Sequence, residues 1–347
     1  MFASNANIGI IFGLIMNSKL LESRVFDNLS EAEFERLALG IFRFQHKNNT
    51  IYRDYIKALG LDISTVSKLT EIPFLPISFF KTHAVISGNE KQFEQIFCSS
   101  TTTSSVPSKH FVKNIALYKE SFSKGFALFY GDIKQYCLLA LLPSYLEKGN
   151  SSLVYMFNEL IGNSLNPDSG FYMYNCEELS AKLKANESKG QKTLLLGVTY
   201  ALLKLAEEYP MKLKNTLVME TGGMKGKREE LTRTEVHTIL SNAFKIKDIH
   251  SEYGMTELLS QAYSKGKGTF QNVPWMKVLI RDIYDPFRIG LINESGAINI
   301  IDLANIHSCS FIATDDLGIV YPTGNFEVAG RIDSSDIRGC NIMASEI

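Results

Sequence analysis

The chain has 347 residues, 45% of them apolar, which is enough for one large domain or two medium ones with a substantial core. Its 36 basic and 37 acidic side chains leave a net charge of −1, which argues against nucleic acid or an anionic membrane surface as the main partner. The apolar run at residues 8–16 is too short to span a bilayer and lacks signal-peptide features. We therefore expect a cytoplasmic protein without a membrane span, with this run forming an early helix or strand.

The five cysteines do not read as a disulfide framework or a zinc site, because their number is odd and no two have metal-type spacing. Cys98, Cys137 and Cys309 lie in apolar, strand-like runs and are interpreted as small core residues. Cys340 differs, because it lies near the C-terminus beside Arg338.

The first hundred residues predict a helix, a connector and a strand. Ser30 and Glu33 form the sequence pattern of a capping box, which predicts that a helix begins there. The run at residues 72–77 contains two prolines and is expected to be an extended connector. Residues 92–98 predict a strand.

Strands and helices then alternate, and the last third changes to short strands. Helices are predicted over residues 112–130, 152–161, 177–188, 200–208 and 227–244, and strands over residues 136–142, 193–198 and 216–219. This alternation favours an α/β domain with a largely parallel sheet. Further short strands are predicted over residues 276–280, 297–301, 309–313, 318–321 and 326–329. They indicate a mostly antiparallel β subdomain.

Seven consecutive hydroxyl residues, 99–105, follow the first predicted strand and precede Lys109 and His110. Hydroxyls and backbone N–H groups can surround phosphate oxygens. A solvated loop rich in serine and threonine is the alternative. The position of the loop at the end of a strand, with a lysine and a histidine following, favours phosphate.

Residues 221–227 resemble a phosphate-binding P-loop but do not match it. Thr221 stands at the first glycine position, and Arg228 replaces the Ser or Thr after the lysine. What remains is the pair Gly222 and Gly223 at the end of a predicted strand, where open α/β sheets bind ligands. A plain strand–helix turn is the alternative.

Residues 253–257, Tyr-Gly-Met-Thr-Glu, combine a ring, a flexible glycine, a hydroxyl and a carboxylate. Such a set fits a nucleotide, with the ring for the base, the hydroxyl for a phosphate and the carboxylate for Mg²⁺. Two turn-like segments follow, at residues 314–318 and 330–333. Asp316 and Arg331 within them suit ribose hydroxyls, and ordinary surface turns are the alternative.

The order of these pieces resembles that of the acyl- and aryl-adenylate-forming (ANL) enzymes, the superfamily that includes the phenylacetate-CoA ligases. Within it, the chain looks most like the acyl-protein synthetase (LuxE-like) family of bacterial bioluminescence, which activates fatty acids for a reductase complex. This closer resemblance covers nearly the whole chain and rests on residues 42–45, 75–81, 143–146, 151–156 and 338–340.

The resemblance implies an α/β adenylate-forming domain over residues 1–330, with mixed or parallel sheets flanked by helices. Its last third, from about residue 265, would be the β-rich subdomain. Residues 331–347 would be a hinge, at Asp333, and a severely truncated C-terminal domain. Only 16 residues follow Arg331, which leaves no room for the mobile domain and catalytic lysine of most adenylate-forming enzymes. The acyl-protein synthetases are similarly short.

The resemblance also implies roles for single residues. The nucleotide site would consist of Ser99, Ser100, Thr101, Thr102, Thr103, Gly222, Gly223, Tyr253, Gly254, Thr256, Asp316 and Arg331. In it, the hydroxyl loop would hold the triphosphate of ATP, Tyr253 would stack on adenine, and Thr256 would contact the α-phosphate. Glu257 would place Mg²⁺, and Asp316 would hold the ribose with help from Arg331.

One departure from the family pattern concerns the phosphate loop. Thr101 and Ser104 stand where the family has glycines, and glycine permits backbone angles that cost a β-branched threonine free energy. A nucleotide-binding homologue without turnover is therefore one alternative function.

The resemblance finally implies a two-step ligase reaction. A carboxylic acid, in this family a fatty acid, would be activated by ATP and Mg²⁺ as acyl-AMP and then transferred to a thiol. In the family the acceptor is a cysteine near the C-terminus, which Cys340 matches; an ordinary exposed cysteine is the alternative. A reductase, an acyltransferase or an acyl carrier protein would be the partner. A CoA ligase or a carrier-protein loading enzyme is the other alternative, with CoA as the acceptor in the first case.

Overall fold

A computed structural model describes residues 18–89, 91–100, 106–143, 149–173, 175–222 and 231–332. The helices are α1 (Ser18–Glu22), α2 (Glu31–Asn48), α3 (Thr50–Ala58), α4 (Phe79–Thr82), α5 (Ile115–Tyr130), α6 (Ser152–Ser164), α7 (Cys176–Lys189), α8 (Thr199–Glu208) and α9 (Arg233–Phe244). The strands are β1 (Leu75–Pro76), β2 (Gln95–Cys98), β3 (Lys109–Val112), β4 (Cys137–Leu141), β5 (Gly170–Phe171), β6 (Thr193–Val198), β7 (Thr216–Thr221), β8 (His250–Tyr253), β9 (Ala262–Ser264), β10 (Thr269–Asn272), β11 (Met276–Arg281), β12 (Ser295–Asp302), β13 (Phe311–Val320) and β14 (Phe326–Arg331).

A 12-stranded mixed sheet organises these elements. Its first part is parallel, in the order β5, β4, β6, β7 and β8. The sheet then continues antiparallel through β9, β10, β14, β13, β12 and β11. Strand β1 pairs in parallel with β13, and β2 with β3 forms a separate hairpin. The predicted α/β class with a large mixed sheet is confirmed, whereas the division into domains stays a prediction.

The central parallel strands are buried along their whole length. Every residue of β4 and of β6 is buried, as expected for parallel strands covered by helices on both faces. Their leucine-rich runs therefore build the core that holds the strand ends in place. Within this core Cys137 and Cys309 are fully buried, as predicted, while Cys98 is half-buried.

Two predicted helices begin later in the chain than expected. Helix α5 begins at Ile115, after the Asn114 side chain caps it, because the residues before it pair in β3. Helix α9 begins at Arg233, where the Thr232 side chain accepts from the Glu235 N–H in a capping box. Residues 227–230 and the apolar run 8–16 lie outside the described residues. At Ser30 the predicted capping interaction is present, with the Ser30 N–H donating to the Glu33 carboxylate at 3.0 Å.

The predicted turn at residues 314–318 was also wrong, because these residues lie in the middle of β13. Pairing on both sides keeps them extended: Leu317 lies opposite Ala297 of β12 and Gly330 of β14. A register shift between Leu317 and Gly318 is the local irregularity that remains. Gly330 and Arg331, predicted as part of a second turn, likewise belong to β14.

Within the part of the chain that the structure describes, no helix combines the length and the apolar character needed to cross a membrane.

Candidate active site

The glycines of the two predicted nucleotide segments follow neighbouring strands, at the carboxyl-terminal end of the parallel strands. This end of the sheet is called the strand-end side. Strands β7 and β8 are parallel neighbours, with Thr221 opposite Glu252, so that Gly222 and Gly254 both follow the carboxyl ends of their strands. Gly222 has φ = 70°, a left-handed conformation that favours glycine. Its carbonyl accepts a hydrogen bond from the Thr199 hydroxyl at 2.8 Å.

Tyr253, Asp316 and Arg331 form one connected group. The Tyr253 hydroxyl donates to Asp316 Oδ2 at 2.7 Å, and Arg331 Nε donates to Oδ1 at 3.3 Å. Burial raises the pKa of Tyr253, so the phenol stays protonated and acts as the donor. The Tyr253 ring also packs edge-on against Phe270 and Phe326, at centroid distances of 5.9 and 5.5 Å. The group links β8 to the antiparallel half of the sheet, and stacking of Tyr253 on adenine stays a prediction.

Glu257 connects the strand-end side of the sheet to the segment that leads into strand β3 of the β2–β3 hairpin. Its buried carboxylate accepts a hydrogen bond from the Ser108 hydroxyl. Ser108 in turn pairs with Ser99, since its N–H donates to Ser99 Oγ at 2.9 Å. Burial raises the pKa of Glu257, and the Ser108 hydrogen bond and the charges of Arg331 and Lys81 oppose that rise. The base of the hydroxyl loop therefore lies against Glu257.

His110 and Asn305 hold the backbone at Thr256 and Glu257. The His110 Nδ1–H donates to the Thr256 carbonyl at 2.8 Å, and the Asn305 amide donates to the Glu257 carbonyl at 2.7 Å. Burial lowers the pKa of His110 to about 4, against the opposing effect of the acceptor oxygens of Thr256 and Asn305. His110 and Asn305 are both buried. They therefore hold the backbone at Thr256 and Glu257 from the interior of the protein.

Asp302 holds the next part of the same turn. Its carboxylate accepts from the N–H groups of Leu259 and Ser260, at 2.8 and 3.1 Å, and from the Ser260 hydroxyl at 2.6 Å. Burial raises the pKa of Asp302 to about 6, and these donors limit the rise. The carboxylate is fully buried and therefore supports the turn from behind.

A buried carboxylate pair lies directly behind the two strand ends. The Thr221 hydroxyl donates to Glu252 at 2.5 Å. Burial and the nearby charge of Glu220 raise the pKa of Glu252 to about 7. Burial would raise the pKa of Glu220 as well, but a hydrogen bond with His237 and the charge of Arg233 lower it below its usual value.

Gly254 lies close to the Glu252 carboxylate. A Cβ atom at Gly254 would lie 2.5 Å from Glu252 Oε1, so a larger residue there would require this carboxylate to move. Gly254 is exposed, and Met255 and Thr256 are half-buried. The accessible part of this segment is therefore Gly254 to Thr256, whereas the carboxylates of Glu252 and Glu220 are buried.

The structure brings together most of the described residues that the sequence predicts. The residues on the strand-end side of the sheet are Ser99, Gly222, Tyr253, Gly254, Thr256, Glu257, Asp316 and Arg331. Ser100 follows Ser99 and is exposed. The predictions for Thr101, Thr102, Thr103, Gly223 and Cys340 fall outside the described residues. The specific roles of all these residues stay predictions.

The sequence predicts His110 as a residue that favours phosphate binding, whereas the structure buries it and bonds it to the Thr256 carbonyl. The sequence analysis assigns no role to Glu252, although this carboxylate directly precedes Tyr253. Asp302 and Asn305 carry no local signal, because the backbone that they hold is more than 40 residues away in the chain.

The mixed sheet with its parallel and antiparallel halves is the fold of several solved acyl-CoA ligase structures. For 2-hydroxyisobutyryl-CoA ligase in complex with 2-HIB-AMP and CoA, the TM-score is 0.64 at 14% identity, covering 90% of this chain and 71% of that chain. For ATP-bound MatB from Rhodopseudomonas palustris, the TM-score is 0.52 at 15% identity, covering 68% of this chain. The match spans about half of the MatB chain, 47%.

The family follows from the sequence comparison. The model of the family "Acyl-protein synthetase, LuxE" matches residues 3–347, and the chain therefore belongs to the LuxE acyl-protein synthetase family. It is also similar to the long-chain-fatty-acid–luciferin-component ligase of Vibrio harveyi. The two are 23% identical over 337 residues, which cover 90% of this chain and 87% of the relative. The predicted resemblance is confirmed.

Proposed function

We propose that the protein activates a carboxylic acid with ATP as acyl-AMP and then transfers the acyl group to a thiol. The observation that supports this proposal is that the Tyr253–Asp316–Arg331 group and the Glu257–Ser108 pair both lie on the strand-end side of the sheet. The residues proposed for the ribose, the phosphates and the cation would then belong to one site. A long-chain fatty acid is the proposed substrate class, supported by the name of the Vibrio harveyi relative.

In the first step, an oxygen of the acid carboxylate attacks the α-phosphorus of ATP. The bond from that phosphorus to the bridging oxygen breaks, and pyrophosphate leaves with the electron pair. The Thr256 hydroxyl would donate to the α-phosphate, held in place by the His110 hydrogen bond to its carbonyl. The Asp316 carboxylate would accept from the ribose hydroxyls while Tyr253 and Arg331 keep it oriented.

Glu257 fits a role in holding Mg²⁺. Among the described residues, no three His, Cys, Asp or Glu side chains gather into a metal site. A single carboxylate is nevertheless enough for this ion, because Mg²⁺ commonly binds one or two carboxylates together with substrate phosphates. When bound, the ion would neutralise phosphate charge.

In the second step, we propose Cys340 as the acceptor. Its thiolate would attack the acyl carbonyl, the C–S bond would form, and AMP would leave as the C–O bond breaks. Ile332, the last described residue, is anchored by its N–H to the Asp315 carbonyl at 2.7 Å. Cys340 follows eight residues later, a span of at most about 28 Å when extended. We propose that this tether brings the thiol to the site and that Arg338 would favour the thiolate.

Because the first step is reversible, the proposed reaction predicts that pyrophosphate exchanges into ATP only when a carboxylic acid is present. Radiolabelled pyrophosphate should enter ATP when a fatty acid is present and should not enter without it. A panel of acids from acetate to tetradecanoate and aryl acids would rank the substrates. If no acid in the panel supports exchange, the proposal fails, and the nucleotide-binding homologue without turnover is the alternative that remains.

The acceptor is tested by acylation of the protein itself. With labelled fatty acid and ATP, the wild type should carry a hydroxylamine-sensitive label, and Cys340→Ala should lose it while retaining exchange. Cys176→Ala, at a half-buried cysteine of α7, is the matched control and should label like the wild type. Equal labelling of Cys340→Ala would remove Cys340 as the acceptor, and free CoA and an acyl carrier protein would then be tested.

A further inference from the structure

Arg233, the first residue of helix α9, contacts both halves of the sheet. Its Nε lies 3.3 Å from Glu220 Oε1 of β7, in the parallel half. Its Nη1 donates to the Val328 carbonyl of β14 at 3.0 Å, in the antiparallel half. The Cζ atom of the guanidinium lies over the Phe270 ring of β10, 5.0 Å from its centroid. Three strands separate β7 from β14, so the sheet curls around this one side chain.

Two of these contacts lead to residues that the family resemblance assigns to the nucleotide site. The Thr199 hydroxyl lies 3.2 Å from Glu220 Oε2 and 2.8 Å from the Gly222 carbonyl oxygen, so both acceptors share this donor. The Phe270 ring, beneath the guanidinium, packs edge-on against the Tyr253 ring. The guanidinium is therefore connected to Gly222 on one side and to Tyr253 on the other.

The partner of Arg233 is a buried carboxylate. Glu220 is buried, and His237 Nε2 lies 3.6 Å from the same carboxylate oxygen that Arg233 approaches. Burial opposes ionisation of Glu220, but the His237 hydrogen bond and the Arg233 charge outweigh it and lower the pKa of Glu220. Separating the pair would leave a buried charge without compensation, which is costly. The guanidinium is thus held in one place.

We propose that Arg233 is a positioning residue that fixes the segments at Gly222 and Tyr253 relative to each other for nucleotide binding. This inference rests on the proposed function. Arg233 acts through Glu220 and Phe270 and not on ATP directly. Its planar fork holds a carboxylate and a backbone carbonyl while its face packs on a ring, a combination that a lysine ammonium does not reproduce. Its loss should therefore weaken the binding of ATP and AMP alike.

Nucleotide affinity and turnover are measured separately to test this role. Arg233→Lys should raise the KM for ATP in pyrophosphate exchange about tenfold, within the coupling range of residues in contact. The rate at saturating ATP and the KM for the fatty acid should stay within twofold of the wild type. Equilibrium dialysis with labelled AMP should show a similar loss of affinity. Arg53→Ala, at an exposed surface ion pair of α3, is the control and should behave like the wild type.

A double variant separates positioning from charge compensation. Arg233→Met alone leaves the Glu220 carboxylate without its counter-charge, whereas Arg233→Met combined with Glu220→Gln does not. The double variant should therefore be more stable than Arg233→Met in chemical denaturation. Its affinity for AMP should stay as weak as that of Arg233→Met. If affinity returns to the wild-type value together with stability, Arg233 is only a counter-charge and the proposal is overturned.

The wild type decides whether this inference and the proposed function fail together. If the wild type binds AMP and exchanges, and Arg233→Lys binds AMP equally well, the role of Arg233 is overturned and the proposed function stands. If the wild type binds AMP but no acid supports exchange, the proposed function fails, and weaker AMP binding by Arg233→Lys would still support the positioning role. A wild type that binds neither AMP nor ATP overturns both.

Discussion

At the scale of single residues, Glu252 shows how burial changes the chemistry of a side chain. Its carboxyl is 7% exposed, lies near the second buried carboxylate Glu220, and receives one hydrogen bond from Thr221. Desolvation disfavours the ionised form, so the folded protein holds a proton at this site up to a pKa of about 7. The unfolded chain loses that proton near pH 4.5.

This difference predicts a pH-dependent contribution to stability. The contribution is fully present below about pH 4.5 and is lost as the pH rises through 7, because the folded state binds the proton more tightly. In the wild type, the raised pKa of Glu252 makes the free energy of unfolding fall by about 3 kcal/mol between low and high pH. Glu252→Gln should remove this part of the pH dependence. Urea titrations at pH 5, 6, 7 and 8 would measure the free energy of unfolding.

Glu177→Gln, at an exposed position in the first turn of α7, provides the comparison for Glu252→Gln and should keep the wild-type pH profile. An unchanged profile in Glu252→Gln would show that Glu252 ionises normally in the folded protein. Asp302, whose pKa burial also raises, contributes in the same direction and remains in both variants.

At the scale of elements, β13 shows why turn-like residues form a strand. Its glycine, Gly318, lies where the β14 backbone and the Ile298 side chain leave no room for a Cβ atom. A Cβ atom there would collide with the Glu327 carbonyl oxygen and would lie 2.7 Å from the Ile298 side chain. Glycine is thus required by close packing inside a sheet, although the same residue in sequence suggests a turn.

Substitution of Gly318 should therefore be costly. Gly318→Ala is expected to destabilise the protein by about 3 kcal/mol or more through overpacking, measured by chemical denaturation. Gly330→Ala is the matched control on the neighbouring strand, because no atom lies within 4 Å of its added Cβ. It should change stability by less than about 0.5 kcal/mol. Equal effects of the two variants would contradict the packing argument.

At the scale of the whole molecule, the candidate site joins the two halves of the sheet. Tyr253 comes from the parallel half, whereas Asp316 and Arg331 come from the antiparallel half. A ligand that contacts both halves binds the folded state alone and stabilises it by mass action. Nucleotide binding should therefore raise the stability of the entire chain.

ATP with Mg²⁺ at 100 times its Kd should add about 2.7 kcal/mol to the free energy of unfolding, which thermal unfolding at increasing ATP would detect. Asp316→Asn should shift the required ATP concentration upward about tenfold or more, because it removes the charged acceptor proposed for the ribose. Asp54→Asn, at an exposed surface ion pair, should respond like the wild type. A normal response of Asp316→Asn would place the ribose elsewhere.

The sequence by itself determined what depends on neighbouring residues in the chain. Apolar, leucine-rich runs predict the buried strands β4 and β6, and the chemistry of residues 253–257 predicts a nucleotide site. The order of the motifs along the chain was enough to indicate the family. All of these signals are local or depend on order alone.

Only the tertiary structure decided what depends on contacts between distant residues. The extended conformation of residues 314–318 comes from pairing with β12 and β14, which outweighs their turn propensity. The support of Thr256 and Glu257 by His110 and Asn305 joins segments far apart in the chain. The pKa of Glu252 depends on its burial, which no neighbour in sequence reveals. Desolvation and strand pairing are properties of the assembled core, and for that reason local sequence could not predict them.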